Sequence, residues 1–178
     1  NMKTKLNQSK LKLAIVSAML LGTAGVTAPA YALDATLNVS ASIDMSCTIS
    51  TSPVNFGDYQ PGGIHELDPL LAQGGVTSTC TTGASGHIKL GEGTYKTVDS
   101  VPASPVRRMQ ATGDPSSFLN YGLFSDGAHS VVWESGTGIP YEGNGISQTL
   151  PIYGSVDAGQ TSAAVGSYTD TLVVTINY

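Results

Sequence analysis

The chain has 178 residues, of which 40% are hydrophobic and 12% are charged, with 21 Gly and 9 Pro. This composition is typical of one domain built from many short strands joined by turns. The net charge of −5 argues against nucleic acid or an anionic membrane as a partner, because both repel an acidic surface.

Residues 1–32 have the features of a secretory signal peptide. Four lysines precede an apolar run over residues 13–26, and Ala-Pro-Ala-Tyr-Ala follows. The run is shorter than the roughly 20 residues that span a bilayer. We expect cleavage after Ala32, with cleavage after Ala30 as the alternative, because Ala28-Pro-Ala30 fits the same rule. The leader holds four of the eight Lys and Arg and none of the thirteen Asp and Glu, so the remaining chain carries a net charge of −9.

The stretch Leu33–Cys47 alternates apolar and polar residues without a break. Strand side chains point to opposite faces in turn, so the pattern predicts a strand with one apolar and one polar edge. An ordinary strand has about 5 to 6 residues, and this one is much longer. Two interpretations stay open: a long first strand of a self-contained sandwich, or a strand donated to a neighbouring subunit.

Cys47 and Cys80 are the two cysteines of the chain, and the leader directs them to an oxidising compartment. We therefore expect a single disulfide, worth about 3 to 4 kcal/mol through loop closure. The alternatives are a free thiol and a metal site. His65, His87 and His129 have no ligand-like spacing to either cysteine, and we expect them in loops or at the surface.

Between the cysteines and the C-terminus the chain reads as short strands separated by turns, with no sustained helical period. Trp133 is expected in the core rather than as a platform for a sugar. The pattern predicts strands at 54–59, 76–82, 87–90, 106–109, 118–124, 131–133 and 148–156, with loops at 64–75 and 136–145.

The C-terminal stretch, residues 166–178, predicts one further strand. One face carries Leu172, Val174, Ile176 and Tyr178. A strand that runs to the last residue has no turn after it. If this strand lies in the centre of a sheet, we expect that the strand on its outer side does not come from later in this chain.

The sequence shows none of the residue patterns that enzymes use, neither a nucleophile with a base nor a paired-carboxylate site. The glycine-rich segments 91–93, 136–138 and 143–145 lack the third glycine of a dinucleotide fingerprint and are interpreted as hairpin loops. We therefore expect a protein that is not an enzyme, with no cofactor and no metal.

Several motifs in order along residues 33–178 resemble the spore coat protein U domain family, which includes the pilins of archaic chaperone-usher pili. Within that family the chain is most similar to the major rod subunit of Csu-type pili. The ending, from Gly166 to Tyr178, is the most specific part. The other motifs are the alternating start, Cys47, Phe56-Gly57-x-Tyr59-x-Pro61, Cys80 with Thr81-Thr82-Gly83, Arg108-Met109, Leu119-Asn120-Tyr121-x-Leu123-Phe124-x-Asp126, and Trp133.

The resemblance implies an all-β fold, an incomplete immunoglobulin-like sandwich that lacks its last strand. A periplasmic pilus chaperone would fill the gap first, and at the outer-membrane usher the N-terminal segment of the next subunit would replace it. Residues 33–46 would be the donor segment and 47–178 the pilin domain, with a disulfide from Cys47 to Cys80. The donor residues facing the neighbour's core would be Leu37, Val39, Ala41 and Ile43, and the acceptor edge would include Leu172, Val174, Ile176 and Tyr178.

The function that this resemblance implies is that of a structural subunit in a surface pilus rod of a Gram-negative bacterium, supporting attachment and biofilm formation. Its partners would be the chaperone, the usher, identical neighbouring subunits and minor or tip subunits. A shaft role is favoured over the tip, because the length leaves no room for an added binding domain. The alternatives are a spore-coat-like structural surface protein and a secreted monomeric glycan-binding module using Trp133 with Tyr141 or Tyr153.

Overall fold

The computed structural model describes residues 29–178, which divide into a first unit, described over residues 29–40, and a second unit, residues 41–178. In the first unit, residues 29–40 form no strand or helix and are exposed. The signal-peptide prediction for residues 1–32 lies almost entirely outside the described residues. Between residues 29 and 178 no helix is long and apolar enough to cross a membrane.

The second unit is a sandwich of two antiparallel sheets, and no helix occurs in the described part of the chain, so the all-β prediction is confirmed. The strands are β1 (Cys47–Ser52), β2 (Leu70–Cys80), β3 (Ser85–Leu90), β4 (Arg107–Ala111), β5 (Asp114–Phe124), β6 (Ile139–Glu142), β7 (Gln148–Val156), β8 (Tyr168–Thr169) and β9 (Val174–Asn177). The six-stranded sheet has the order β1-β2-β7-β5-β4-β8, and the three-stranded sheet has the order β6-β3-β9.

The core lies between the inner faces of the two sheets. It forms because alternate residues of β2, β3, β5 and β7 are apolar and point inward. The buried apolar side chains include Val76, Ile88, Leu90, Leu119, Leu123, Trp133, Ile152 and Val156. The predicted disulfide is present and joins Cys47 to Cys80, the first residue pair of the β1–β2 ladder.

The prediction of a strand over Leu33–Cys47 is not matched within the chain itself. Residues 29–46 form no strand, and β1 begins at Cys47. The alternating pattern is consistent with a strand, but a strand needs a partner for its backbone groups. Among the described residues no strand pairs with this segment, and only its end, at Asp44 and Ser46, bonds to Thr81.

Two predicted loops contain strands. The segment 64–75 was expected to be a loop, yet β2 starts at Leu70 because its first half pairs with β7 in register from Leu70↔Val156 onward. Gly74 allows the first half of β2 to lie close to the segment that contains Val54, since a Cβ at residue 74 would lie 2.7 Å from the Val54 side chain. The glycine-rich segment 136–145 likewise contains β6, which forms by pairing with β3.

Two predicted strands are absent or reduced. Residues 54–59 form no strand, although the segment packs against the core through Val54, Phe56 and Tyr59. Residues 131–133 contribute only an isolated bridge between Val132 and Phe124. By contrast, β7 continues through Pro151, which is tolerated because β5 pairs only with the part of β7 from Tyr153 to Val156.

The C-terminal strand predicted over residues 166–178 is divided in two. β8 pairs with β4 of the six-stranded sheet, whereas β9 pairs with β3 of the other sheet, so the chain changes sheets over residues 170–173. The predicted alternation nevertheless holds, because Leu172, Val174 and Ile176 pack against the core while Val173 is exposed.

Candidate functional site

The sandwich contains a cleft that reaches the start of β9 at Val174. The three-stranded sheet is narrower than the six-stranded sheet that it faces, so it leaves part of the opposite inner face uncovered. Two adjoining cavities of about 670 and 450 Å³ lie there and share the lining residues Pro53, Val54, Phe56, Met109 and Tyr168. We call this continuous space the open cleft.

The open cleft has an apolar floor and two walls. We call residues 53–59 the first wall and residues 168–174 the second wall, since both segments line the cavities. The floor consists of inward-facing side chains of the six-stranded sheet, namely Met109, Leu119, Tyr121, Leu123, Ile152 and Val156. Such a site is suited to an extended apolar segment rather than to a small polar substrate.

The edge of β9 that faces away from β3 has no partner strand among the described residues. The N–H of Gly91 donates to the carbonyl of Val173 over 2.9 Å. Because bonded and non-bonded pairs alternate in an antiparallel ladder, Val174 and Ile176 direct their backbone N–H and C=O groups away from β3. These groups could bond to an added strand.

The predicted acceptor residues are placed differently with respect to this cleft. Leu172 and Val174 line it. Ile176 packs against the core outside the lining, and Tyr178 is 52% exposed. The apolar face of the last strand thus contributes two of its four members to the cleft.

The predicted donor residues are exposed. Leu37, Val39 and Ile43 are 84%, 87% and 87% accessible to solvent, and Ala41 is exposed as well. Large apolar side chains seldom lie at the surface in an unbroken alternating row, and contiguous exposed apolar surface often marks a site of interaction.

The first wall is held at its last residue, Tyr59. Its hydroxyl donates to the carbonyl of Asp157 over 2.7 Å and accepts from the N–H of Gln160 over 3.0 Å. Its ring stacks on His65, whose Nδ1 accepts from the N–H of Gln60. His65 therefore lies in a loop, as predicted, but is buried and serves a structural contact.

The second wall is held by Asp170. Its carboxylate accepts from the hydroxyl of Tyr121 over 2.6 Å, and from the N–H groups of Thr94 and Thr171 over 2.9 and 2.8 Å. Burial raises the pKa of Tyr121, and the hydrogen bond to Asp170 raises it further, so the hydroxyl remains protonated and continues to donate.

Arg107 is a buried residue whose role the sequence did not reveal. Its guanidinium donates to the carbonyls of Gly91, Leu90 and Trp133 over 2.8–3.0 Å, and burial lowers its pKa. It fixes the end of β3, the strand beside β9, against β4. A charged residue in a predicted strand suggests an outward position, so only the three-dimensional contacts identify this role.

Trp133 lies in the core, as predicted, since 1% of its surface is exposed and its indole N–H donates to the carbonyl of Ile88. Tyr141 is also buried. These positions contradict a glycan site built on Trp133 and Tyr141, because neither ring offers a face to a sugar. Within residues 29–178, no three His, Cys, Asp or Glu side chains form a group that could hold a metal ion.

Comparison with known proteins agrees with this architecture. The family model described as Spore Coat Protein U domain matches residues 33–175. "Protein U" of Myxococcus xanthus is 33% identical over 181 aligned residues, which cover 97% of this chain and 100% of that protein.

A solved structure with a similar fold is the CsuC-CsuE chaperone-tip adhesion subunit pre-assembly complex from archaic chaperone-usher Csu pili of Acinetobacter baumannii. The TM-score is 0.50 at 19% identity, and the match covers 75% of this chain but 40% of that one. This likeness of fold agrees with the predicted immunoglobulin-like sandwich. On the extent of the family match and the identity to Protein U, the chain belongs to the spore coat protein U domain family.

Proposed function

We propose that this protein is a structural subunit of a surface fibre that assembles by donation of a strand. In this proposal residues 34–44 of one copy lie in the open cleft of a second copy, with Leu37, Val39, Ala41 and Ile43 directed at its floor. The observation that carries the proposal is the uncovered apolar cleft beside the unpaired edge of β9. The exposed alternating row in the same chain matches what that cleft would bind.

The energy available to such a contact is large. Burying Leu37, Val39 and Ile43 would contribute about 1.5 to 3 kcal/mol each. With smaller contributions from Ala35 and Ala41 the total is on the order of 5 to 10 kcal/mol. The backbone groups of Val174 and Ile176 would add hydrogen bonds along the edge. This sum is comparable with the whole stability of a small domain, so the assembled fibre would dissociate slowly.

The finer form of the proposal is a pilus rod. The signal peptide would deliver the chain to the periplasm, a pilus chaperone would occupy the open cleft, and an outer-membrane usher would exchange the chaperone strand for the next subunit's donor. The fold shared with the chaperone-bound Csu subunit supports this path. The fibre would reach the cell surface with minor or tip subunits and support attachment and biofilm formation.

A second candidate is a structural surface coat, because the identity to Protein U extends over the whole chain and the family takes its name from spore coats. In that case subunits would join through the same cleft but form a layer rather than a filament. Electron microscopy of material sheared from the cell surface distinguishes the two, since a rod predicts filaments.

The proposal is tested by electrophoresis of assembled material in SDS, unheated and boiled. The wild type should give a ladder of multimers that collapses on boiling. Val39→Asp should weaken or abolish the ladder, because it places a charge against the apolar floor. Ser40→Asp is the matched control on the polar side of the segment and should keep it. A single monomer band for the wild type in every lane would overturn the proposal.

A further inference from the structure

The position of the second wall of the open cleft is not fixed by strand pairing alone. Residues 170–173 lie between β8 and β9 and belong to neither strand, and apart from the bond from Gly91 to Val173 no ladder holds them. They nevertheless determine where the edge of β9 begins. Some other interaction must fix this part of the wall.

Asp170 supplies that interaction by joining the second wall to two other parts of the chain. Its two oxygens bond to Tyr121 on the cleft floor, to Thr94 in the loop after β3 and to the neighbouring Thr171. Both Tyr121 and Asp170 line the cleft. A carboxylate that accepts three bonds forms stronger contacts than a neutral acceptor, especially where one donor is buried.

The loop after β3 is shaped to receive this carboxylate. Gly93 has a φ of +89°, and a Cβ at this position would collide with Oδ2 of Asp170. The N–H of the next residue, Thr94, is shared between Asp170 and the carbonyl of Thr171, which lies 3.1 Å away. The hydroxyl of Thr94 donates to the same carbonyl over 3.0 Å. The loop after β3 therefore forms hydrogen bonds to two successive residues of the second wall, Asp170 and Thr171, within the same subunit.

We infer that Asp170 is a positioning residue of the acceptor: its carboxylate holds the second wall in place before a donor strand arrives. The inference rests on the proposed donor-accepting function and extends it. The bonds of Asp170 come from within one subunit and use no group of a donor. The cleft is thus formed in advance, and a donor does not have to order it on binding.

The test measures capture of a fluorescent synthetic peptide with the sequence of residues 33–45 by the full chain, followed by anisotropy. Asp170→Asn keeps the size of the side chain but removes its charge, and Tyr121→Phe keeps the ring but removes the donor. Each should slow capture by about tenfold or more, the effect expected for a charge-assisted hydrogen bond. Because both changes break the same bond, the double variant should be little worse than either single one.

Asp126→Asn is the matched control. Its carboxylate also accepts three bonds, from the N–H and hydroxyl of Ser130 and the N–H of Val131, but within a turn that does not line the cleft. It should capture the peptide at the wild-type rate. Circular dichroism establishes that each variant is folded at the temperature of the assay.

The outcomes separate the inference from the proposed function. If Asp170→Asn captures the peptide at the wild-type rate, the role of Asp170 is wrong and strand donation stands. If Asp170→Asn does not fold, a wild-type rate for folded Tyr121→Phe leads to the same conclusion. If the wild type does not capture the peptide, or captures a Val39→Asp peptide equally well, the proposed function fails and the inference fails with it.

Discussion

At the scale of single residues, the Tyr121–Asp170 hydrogen bond has a consequence for the pH dependence of folding. The pKa of Tyr121 is raised above its ordinary value of 10.0, first by burial and then by Asp170. A group whose pKa is higher in the folded state contributes its full stability below the unfolded pKa and loses it as the pH rises further. The folded protein should therefore lose stability above about pH 10.

Tyr121→Phe removes this titration, so its unfolding midpoint in urea should fall less steeply between pH 9 and pH 11 than that of the wild type. Tyr178→Phe, at a half-exposed tyrosine, provides the comparison and should follow the wild-type curve. Parallel curves for the wild type and Tyr121→Phe would contradict the raised pKa.

At the scale of strands and loops, the sequence predicted several strands of the sandwich whose own residues carry the alternation, although the longest alternating stretch, Leu33–Cys47, forms no strand before Cys47. The segments at 87–90, 118–124 and 148–156 coincide with or lie within β3, β5 and β7. The start of β2 and the short β6 were missed because glycine-rich stretches lack that signal and become strands through their partners, β7 and β3.

The candidate site was predictable only in part for the same reason. Periodicity identified the exposed row at 37–43 and the last strand with its apolar face. The bonds that shape the cleft join residues far apart in sequence, such as Tyr121 and Asp170, and no local pattern encodes them. The first wall illustrates the limit: it was predicted as a strand, yet it packs on the core without joining a ladder.

Gly154 of β7 shows how a strand sets the position of the first wall. A Cβ at this residue would lie 2.7 Å from the side chain of Val54 and 2.8 Å from that of Phe56. The first wall therefore packs directly against the backbone of β7. We expect Gly154→Ala to displace the wall and to lower the free energy of unfolding by about 1 to 3 kcal/mol, as overpacking does. It should also weaken the SDS-resistant ladder.

The matched control for Gly154→Ala is Gly62→Ala, where a Cβ would meet open space. This variant should change the free energy of unfolding by less than about 0.5 kcal/mol. Urea titration of both variants checks the prediction. Equal midpoints for the two would contradict the contact between β7 and the first wall.

At the scale of the whole molecule, the disulfide lies at the point where tension along an assembled fibre would enter the subunit. In a fibre joined by donated strands, tension would reach each subunit through the residues just before Cys47. β1 is an edge strand that pairs only with β2, and pulling on its first residue would separate the pairs one after another. The bond between Cys47 and Cys80 closes the first of these pairs, so tension passes directly to β2, which is paired on both sides.

Replacing both cysteines by serine should therefore have two separate effects. The free energy of unfolding should fall by about 3 to 4 kcal/mol, because the crosslink no longer restricts the unfolded chain. In single-molecule pulling between residue 33 and the C-terminus, the variant should show an early extension as β1 separates from β2, before the rest of the sandwich unfolds. If the variant without the disulfide shows no early extension, the β1–β2 ladder resists tension by itself. The mechanical role of the crosslink would then be wrong, even though its effect on the free energy of unfolding remained.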